Sequence, residues 1–139
     1  MNSGWKVGLA GLLFAVALVA ASCGSGGGIQ TTLQDFSITM DPVSASAGEM
    51  TFEITNAGPS VHEFVVLSTD LASGALPTDD TGSVDEAGAP GITLVDEVED
   101  IAAEATPSLT VQLDPGSYVM ICNLPGHYGQ GMHASFTVS

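Results

Sequence analysis

Residues 122–132 read CNLPGHYGQGM, and this stretch carries most of the information about the fold and the site. It places a thiol at Cys122, an imidazole at His127 and a thioether at Met132, with four residues in each gap. The Pro-Gly pair and the two later glycines favour a turning loop. Thiolate, imidazole and thioether are soft or borderline donors, which suit transition metals better than calcium or magnesium. The stretch therefore predicts a metal-binding loop that follows a strand.

A second imidazole is needed to complete such a site, and the chain offers His62 and His133 outside the loop. His62 follows a turn at the start of a predicted strand, so it can approach the loop from a neighbouring strand. His133 directly follows Met132, and adjacent side chains of an extended chain point to opposite faces. We therefore expect His133 to be solvated and His62 to be the ligand. Two imidazoles and a thiolate in a trigonal set, with a weak axial thioether, suit copper in both oxidation states.

Apolar and polar residues alternate with a period of two through much of the remaining chain, which is the pattern of half-buried β-strands. The predicted strands comprise residues 36–40, 50–54, 62–67, 109–113, 118–122 and 134–139. Short strands at regular spacing, joined by turns rich in Gly, Pro and Asn, favour an all-β antiparallel sandwich with Greek-key connections.

Two segments do not follow this pattern. Residues 68–93 are rich in Gly, Pro, Asp and Ser and have no sustained periodicity, which predicts a long excursion with room for a short helical piece. Residues 94–105 read LVDEVEDIAAEA and fit either a strand or a helix.

The chain is strongly acidic, with 16 Asp and Glu against one basic side chain and a formal net charge of -15. Such a surface repels phosphate backbones and anionic lipid headgroups, which argues against nucleic-acid binding and against charge-driven membrane binding. A basic protein partner, or plain solubility in salt, remains compatible with the charge. Eight carboxylates follow the His62 strand and would steer a cationic partner if they share one face: Asp79, Asp80, Asp85, Glu86, Asp96, Glu97, Glu99 and Asp100.

The N-terminus has the layout of a signal peptide, with Lys6 followed by the apolar run VGLAGLLFAVALVAA. That run is shorter than the roughly 20 apolar residues that a membrane-spanning helix needs. Residues 20–23 (AASC) resemble a bacterial lipobox, although Ala20 stands where leucine is usual, which predicts lipid attachment at Cys23. We therefore expect a signal peptide over 1–22, a flexible tether over 23–32, a β-domain over 33–139, and an extracytoplasmic protein anchored by lipid. Because both cysteines have such explanations, we expect no disulfide between them.

The sequence resembles the cupredoxins, or type 1 blue-copper proteins. The resemblance rests on His62 with the preceding NAG at 56–58, on PGSY at 115–118 and on the loop at 122–132, whose spacing is similar to that of sulfocyanins and rusticyanins. The resemblance covers nearly all of the predicted mature chain, and the layout is similar to that of small bacterial cupredoxin-like copper-binding lipoproteins. The resemblance implies a single copper ion with His62, Cys122 and His127 as equatorial ligands and Met132 as the axial ligand.

The sequence departs from this family at Glu63, where many members have an asparagine that ties the two ligand loops together. Three nearby polar residues are candidates to supply the missing hydrogen bonds, namely Asn56, Ser60 and Asn123. The residues alone do not choose among them.

The resemblance implies a non-enzymatic electron carrier that meets a redox partner transiently and works as a monomer. The alternative is a protein for copper capture, delivery or tolerance; a sandwich with a vestigial site is a third hypothesis. Zinc is the chemical rival, but methionine is a poor zinc ligand. A binuclear copper site needs a second cysteine in the loop, which has only Cys122. Nitrite reductases and multicopper oxidases need further histidine clusters and a further domain, and three histidines cannot supply those clusters.

Overall fold

The computed structural model describes residues 1–2 and 27–139. Residues 3–22 of the predicted signal peptide, Cys23 and the start of the tether lie outside the described residues. The strands of the described part are β1 (Ile29–Gln34), β2 (Ser37–Asp41), β3 (Ser44–Ala45), β4 (Gly48–Asn56), β5 (His62–Ser68), β6 (Thr93–Ile101), β7 (Ser108–Leu113), β8 (Gly116–Ile121) and β9 (His133–Val138). Its one helix is a single 3-10 turn, Tyr128–Gln130. Within these ranges, no helix has the length and hydropathy that crossing a membrane requires.

The strands form two sheets, one with the order β2-β1-β4-β7 and the other with the order β3-β9-β8-β5-β6. This arrangement confirms the all-β sandwich expected from the alternating pattern. The expectation of purely antiparallel pairing was wrong, because β1 pairs with β4 and β3 pairs with β9 in parallel. After β2 the chain places β3 in the opposite sheet before it returns as β4, and such a crossover allows β4 to run in the direction of β1.

The core lies between the sheets, where alternate residues of each strand face inward. Phe52, Phe64 and Phe136 form its aromatic centre, with ring centroids of Phe52 5.3 Å from Phe64 and 5.6 Å from Phe136. Met120 and Met132 are fully buried in the same cluster. The flexible thioether side chains fill irregular space between the sheets.

The excursion between β5 and β6 covers the outer face of the five-stranded sheet. Leu76, Val84 and Ile92 of this segment pack on β5 and β8 in a second apolar cluster. Burial on both faces explains why residues 64–67 (FVVL) form an unbroken apolar run instead of alternating. The segment contains one isolated bridge, Thr78 to Val84, and no helical piece.

Two boundaries differ from the sequence predictions. The ambiguous segment at 94–105 is a strand as far as Ile101, because it pairs with β5. Residues 29–32 belong to β1 and not to the tether, since Ile29, Thr31 and Leu33 are buried against the sandwich. The polar Thr31 and Gln30 weaken the alternating signal there, so the local sequence does not reveal the strand.

Candidate metal centre

Three of the predicted ligands meet at one end of the sandwich. Cys122 Sγ lies 3.3 Å from His127 Nδ1 and 3.9 Å from His62 Nδ1, and the two Nδ1 atoms are 3.3 Å apart. Donors at bond lengths of about 2.0–2.3 Å around one ion, arranged trigonally, lie roughly 3.5–3.8 Å apart. The three observed separations fall just outside this range, two below it and one above it, so a small adjustment would let one metal ion contact all three atoms.

The pairing of β5 with β8 brings these side chains together. Val65 lies opposite Ile121 in an antiparallel register, so the start of β5 and the end of β8 meet at the same edge. His62 begins β5 and Cys122 directly follows β8. The loop then closes on itself, since the Cys122 N–H donates to the Met132 carbonyl at 3.1 Å and the Met132 N–H donates to the His127 carbonyl at 3.2 Å.

Burial sets the protonation states of the donors. His62 and Cys122 are fully buried, whereas His127 is partly exposed. Burial raises the pKa of the Cys122 thiol, and burial together with the neighbouring His62 lowers the pKa of His127. At neutral pH the His127 imidazole therefore has a free lone pair, and the thiol keeps its proton until a metal displaces it.

The backbone at Glu63 supports the thiolate form of Cys122. Its N–H donates to Cys122 Sγ at 3.4 Å, so this link between the two ligand segments does not depend on which side chain residue 63 carries. The Glu63 carboxyl is half-buried, and burial followed by repulsion from Glu86 raises its pKa to about 7.

Asn56 holds the turn that precedes His62. Its side-chain amide donates to the Ser60 carbonyl at 2.8 Å and to the Ile101 carbonyl at 2.9 Å, while its oxygen accepts the Gly58 N–H at 3.0 Å. This fully buried side chain thus ties the turn to itself and to the end of β6. Of the three candidate residues, Asn56 therefore stabilises the His62 segment from within its turn, and Ser60 ties that turn to Asp35.

Asn123 and Tyr128 instead attach the ligand loop to the segment between β5 and β6. The Asn123 side chain accepts the Val84 N–H at 2.6 Å and donates to the Val84 carbonyl at 2.9 Å. The Tyr128 hydroxyl accepts the Leu76 N–H and donates to the Ser73 carbonyl, both at 2.8 Å. The long excursion thus braces the ligand loop.

His133 points away from the three donors, as expected from its place after Met132. It is half-buried and not solvated, because its Nδ1 lies 3.2 Å from the Ser73 hydroxyl and its ring packs on Tyr128. Burial lowers the pKa of His133. Its role is to pack against the covering segment.

Met132 is fully buried at the end of the same loop. Its N–H donates to the His127 carbonyl and its carbonyl accepts the Cys122 N–H, so its backbone is tied to two of the predicted ligands. Its role as axial ligand stays a prediction from the resemblance.

The sequence did not reveal Asp35, which lies in the turn between β1 and β2. Its Oδ1 is 2.9 Å from His62 Nε2, and its Oδ2 accepts the Ser60 hydroxyl at 2.7 Å. The Ser60 hydroxyl and the His62 ring both lower the pKa of Asp35. No local pattern could identify this residue, because the contact joins a turn to the start of β5, 27 positions further along the chain.

The donor chemistry fits copper best. Two imidazoles and a thiolate at trigonal separations form the set typical of blue-copper sites, with a fourth, weak thioether donor available in the loop. Structural zinc sites are closed by four Cys or His ligands, and the described residues bring together only three such donors here.

No protein-family model matches the sequence, and no curated protein sequence matches it either. The fold, however, is similar to solved structures of copper proteins. Auracyanin from the photosynthetic bacterium Roseiflexus castenholzii is 17% identical, with a TM-score of 0.55 over 79% of this chain and 94% of that one.

Two other structures give the same result. Auracyanin A, a blue copper protein from Chloroflexus aurantiacus, is 18% identical, with a TM-score of 0.53 over 79% of this chain and 99% of that one. Rusticyanin from Thiobacillus ferrooxidans is 19% identical, with a TM-score of 0.51 over 83% of this chain and 79% of that one. Structural similarity at such low sequence identity is evidence of the fold. The chain therefore has the cupredoxin fold.

Proposed function

We propose that this protein binds one type 1 copper ion and carries single electrons without catalysing a reaction. The observation that carries the proposal is the meeting of His62 Nδ1, Cys122 Sγ and His127 Nδ1 within 4.8 Å of one another, at the end of a cupredoxin fold. Auracyanin A and rusticyanin share that fold, and auracyanin A is a blue copper protein. Copper bound there would supply a one-electron couple between Cu(I) and Cu(II).

The role of the protein in that chemistry is to keep the donor atoms in fixed positions. Hydrogen bonds at Cys122, Asn56 and Tyr128 restrain every segment that carries a ligand. A cage that suits both oxidation states and moves little on electron transfer favours fast exchange. The partly exposed His127 ring, with Leu124 and Pro125 beside it, offers an apolar contact for a partner. Weak redox encounters use such small interfaces.

Burial of the donors favours electron transfer over copper delivery. Cys122 and Met132 are fully buried, so a receiving protein has no direct access to either sulfur. A delivery protein must let a second set of ligands reach the metal. Only His127 among the four predicted ligands has an exposed fraction.

The proposal predicts that copper(II) added to the purified apoprotein produces an intense visible absorption, and that the loaded protein shows reversible one-electron voltammetry. The loaded protein should also transfer its copper only slowly to a chelator, because the buried donors are closed off from solvent. Colourless copper binding would contradict the type 1 site. Rapid transfer to the chelator with irreversible voltammetry would favour the delivery alternative.

We also propose that the redox partner is basic and is steered by acidic residues beside the site. Glu63, Glu86 and Glu97 come from three separate segments; burial first and repulsion from Glu86 second raise the pKa of both Glu63 and Glu97, which supports a shared acidic surface. Strand β6 forms the edge of its sheet, and its Ile101 pairs with His62. The acidic strand therefore runs along the side of the candidate site.

Steering predicts that electron transfer from a small basic cytochrome slows steeply as ionic strength rises, because charges are screened beyond about 8–10 Å at physiological salt. Neutralising four β6 carboxylates should make that dependence shallower: Asp96, Glu97, Glu99 and Asp100. The matched control neutralises four exposed carboxylates elsewhere: Asp41, Glu49, Glu53 and Asp114. Equal slopes for the two variants, measured by stopped flow, would remove the docking role from β6.

We propose that the protein is extracytoplasmic and is anchored through Cys23, which lies outside the described residues. The support is the signal-like run before Cys23 and the glycine-rich stretch after it. A diacylglyceryl group at one cysteine supplies the two chains that stable anchoring needs. In a bacterium that processes lipoproteins, the wild type should partition into detergent and Cys23→Ala should stay in the aqueous phase. Equal partitioning of both forms would contradict lipid attachment.

A further inference from the structure

We propose that Asp35 is a positioning residue for the metal site, which fixes the orientation and tautomer of His62 and strengthens it as a ligand. The inference rests on the proposed copper function, and it concerns a residue outside the four-ligand set.

The two ring nitrogens of His62 have different neighbours, which fixes the role of each nitrogen. Nδ1 faces Cys122 and His127, and Nε2 lies 2.9 Å from Asp35 Oδ1. The carboxylate can only accept a hydrogen bond when ionised, so Nε2 carries the proton and donates it. Nδ1 then presents its lone pair to the other donors. Asp35 thus selects the tautomer that binds a metal through Nδ1.

The carboxylate is itself held in place. Its second oxygen accepts the Ser60 hydroxyl at 2.7 Å, and the Ser60 carbonyl is held by Asn56 at 2.8 Å. Gly58 completes the cradle, because a Cβ at this position would lie 2.6 Å from Asp35 Oδ1 and 3.2 Å from His62 Nε2. A side chain at position 58 would therefore displace the Asp35 carboxylate from His62.

The two imidazoles have different surroundings. His62 is fully buried and bonded to a carboxylate, whereas His127 is partly exposed and meets the edge of the Phe36 ring, with centroids 5.1 Å apart. Phe36 is the residue after Asp35, so one turn contacts both imidazoles. His62 is the rigid, electron-rich ligand, and His127 is the ligand nearer to solvent.

A carboxylate on Nε2 adds electron density to the ring and places negative charge near the metal. Both effects favour copper(II) over copper(I), because the higher charge interacts more strongly with an electron-rich donor. Asp35 should therefore raise copper(II) affinity more than copper(I) affinity and so lower the reduction potential.

The experiment compares the wild type with Asp35→Asn, Asp35→Ala and Asp114→Asn. The asparagine variant keeps an acceptor for the Nε2 proton but removes the charge, and the alanine variant removes both. Asp114→Asn is the matched control for net charge, since this exposed residue precedes β8, at the strand end opposite Cys122. Nitrogen-15 NMR of the metal-free proteins reports the His62 tautomer; copper titration and voltammetry report affinity and potential.

We expect a single Nε2-protonated tautomer in the wild type and in Asp35→Asn, and a mixture of tautomers in Asp35→Ala. Copper(II) affinity should fall about 10–100-fold in Asp35→Ala. The potential should rise in both Asp35 variants, by about 59 mV for each tenfold loss of copper(II) affinity that copper(I) does not share. Asp114→Asn should match the wild type.

An unchanged tautomer in Asp35→Ala, or potentials of both Asp35 variants equal to that of Asp114→Asn, would overturn the inference. Either result leaves the wild-type colour intact, so the proposed function would stand. If instead the wild type binds copper without colour, the proposed function fails, while the tautomer in the metal-free proteins still decides the role of Asp35.

Discussion

Replacing Cys122 by serine is expected to abolish the intense visible absorption of the copper(II) protein. The colour of a type 1 site arises from charge transfer within a short copper–thiolate bond, and a serine hydroxyl is a harder donor that keeps its proton at neutral pH. Cys122 Sγ is the one sulfur of the three-donor cluster and lies 3.3 Å from His127 Nδ1, so its loss leaves only the two imidazoles. We expect copper(II) affinity to fall by several orders of magnitude along with the colour.

The serine variant should still fold, because the Glu63 N–H that now donates to the sulfur can donate to the hydroxyl instead. Thermal unfolding of the metal-free variant checks that point. The matched control is Cys23→Ser, which removes the chain's other thiol and should keep full colour. Persistence of the band in Cys122→Ser, or its loss in Cys23→Ser, would show that the type 1 assignment is wrong.

Met132→Leu is expected to keep copper and colour while raising the reduction potential. An axial thioether is a weak donor that tunes the potential, and its removal destabilises copper(II) more than copper(I). The potential rises by about 59 mV for each tenfold loss of copper(II) affinity that copper(I) does not share. The fold should tolerate the change, since exchanging methionine for leucine in a core usually costs less than about 1.5 kcal/mol.

The chain offers a close control in Met120→Leu. Met120 is also fully buried in the core between the sheets, but it belongs to β8 and precedes the ligand loop. Its exchange should leave the potential unchanged. Complete loss of copper from Met132→Leu, or equal potentials in the two variants by voltammetry, would show that Met132 is not a weak axial ligand.

Much of the fold was predictable because a strand that is buried on one face leaves a period of two in its own sequence. Phe52 and Ile54 alternate with polar residues in β4, and the prediction there was correct. The same reasoning missed β1, where Thr31 is buried. It left β6 undecided, because its alternation is interrupted by carboxylates on an edge strand.

The sequence by itself identified the loop at 122–132, because its three donors lie within eleven residues. Their preference for a transition metal follows from residue type alone, without knowledge of the surrounding structure. It also singled out His62, by the turn before it and the strand after it. These are local properties, set by residue type and spacing along the chain.

Only the tertiary structure decided what surrounds those ligands. Three contacts join segments that are 27 to 59 positions apart. They are the contact of Asp35 with His62, the hydrogen bond from the Glu63 N–H to the Cys122 sulfur, and the hydrogen bond from the Tyr128 hydroxyl to the Ser73 carbonyl. Such contacts depend on the register of paired strands and on which turn meets which loop, and these are global properties that no single stretch of sequence encodes. The predicted ligand set therefore follows from local pattern, whereas its surroundings follow from the folded sandwich.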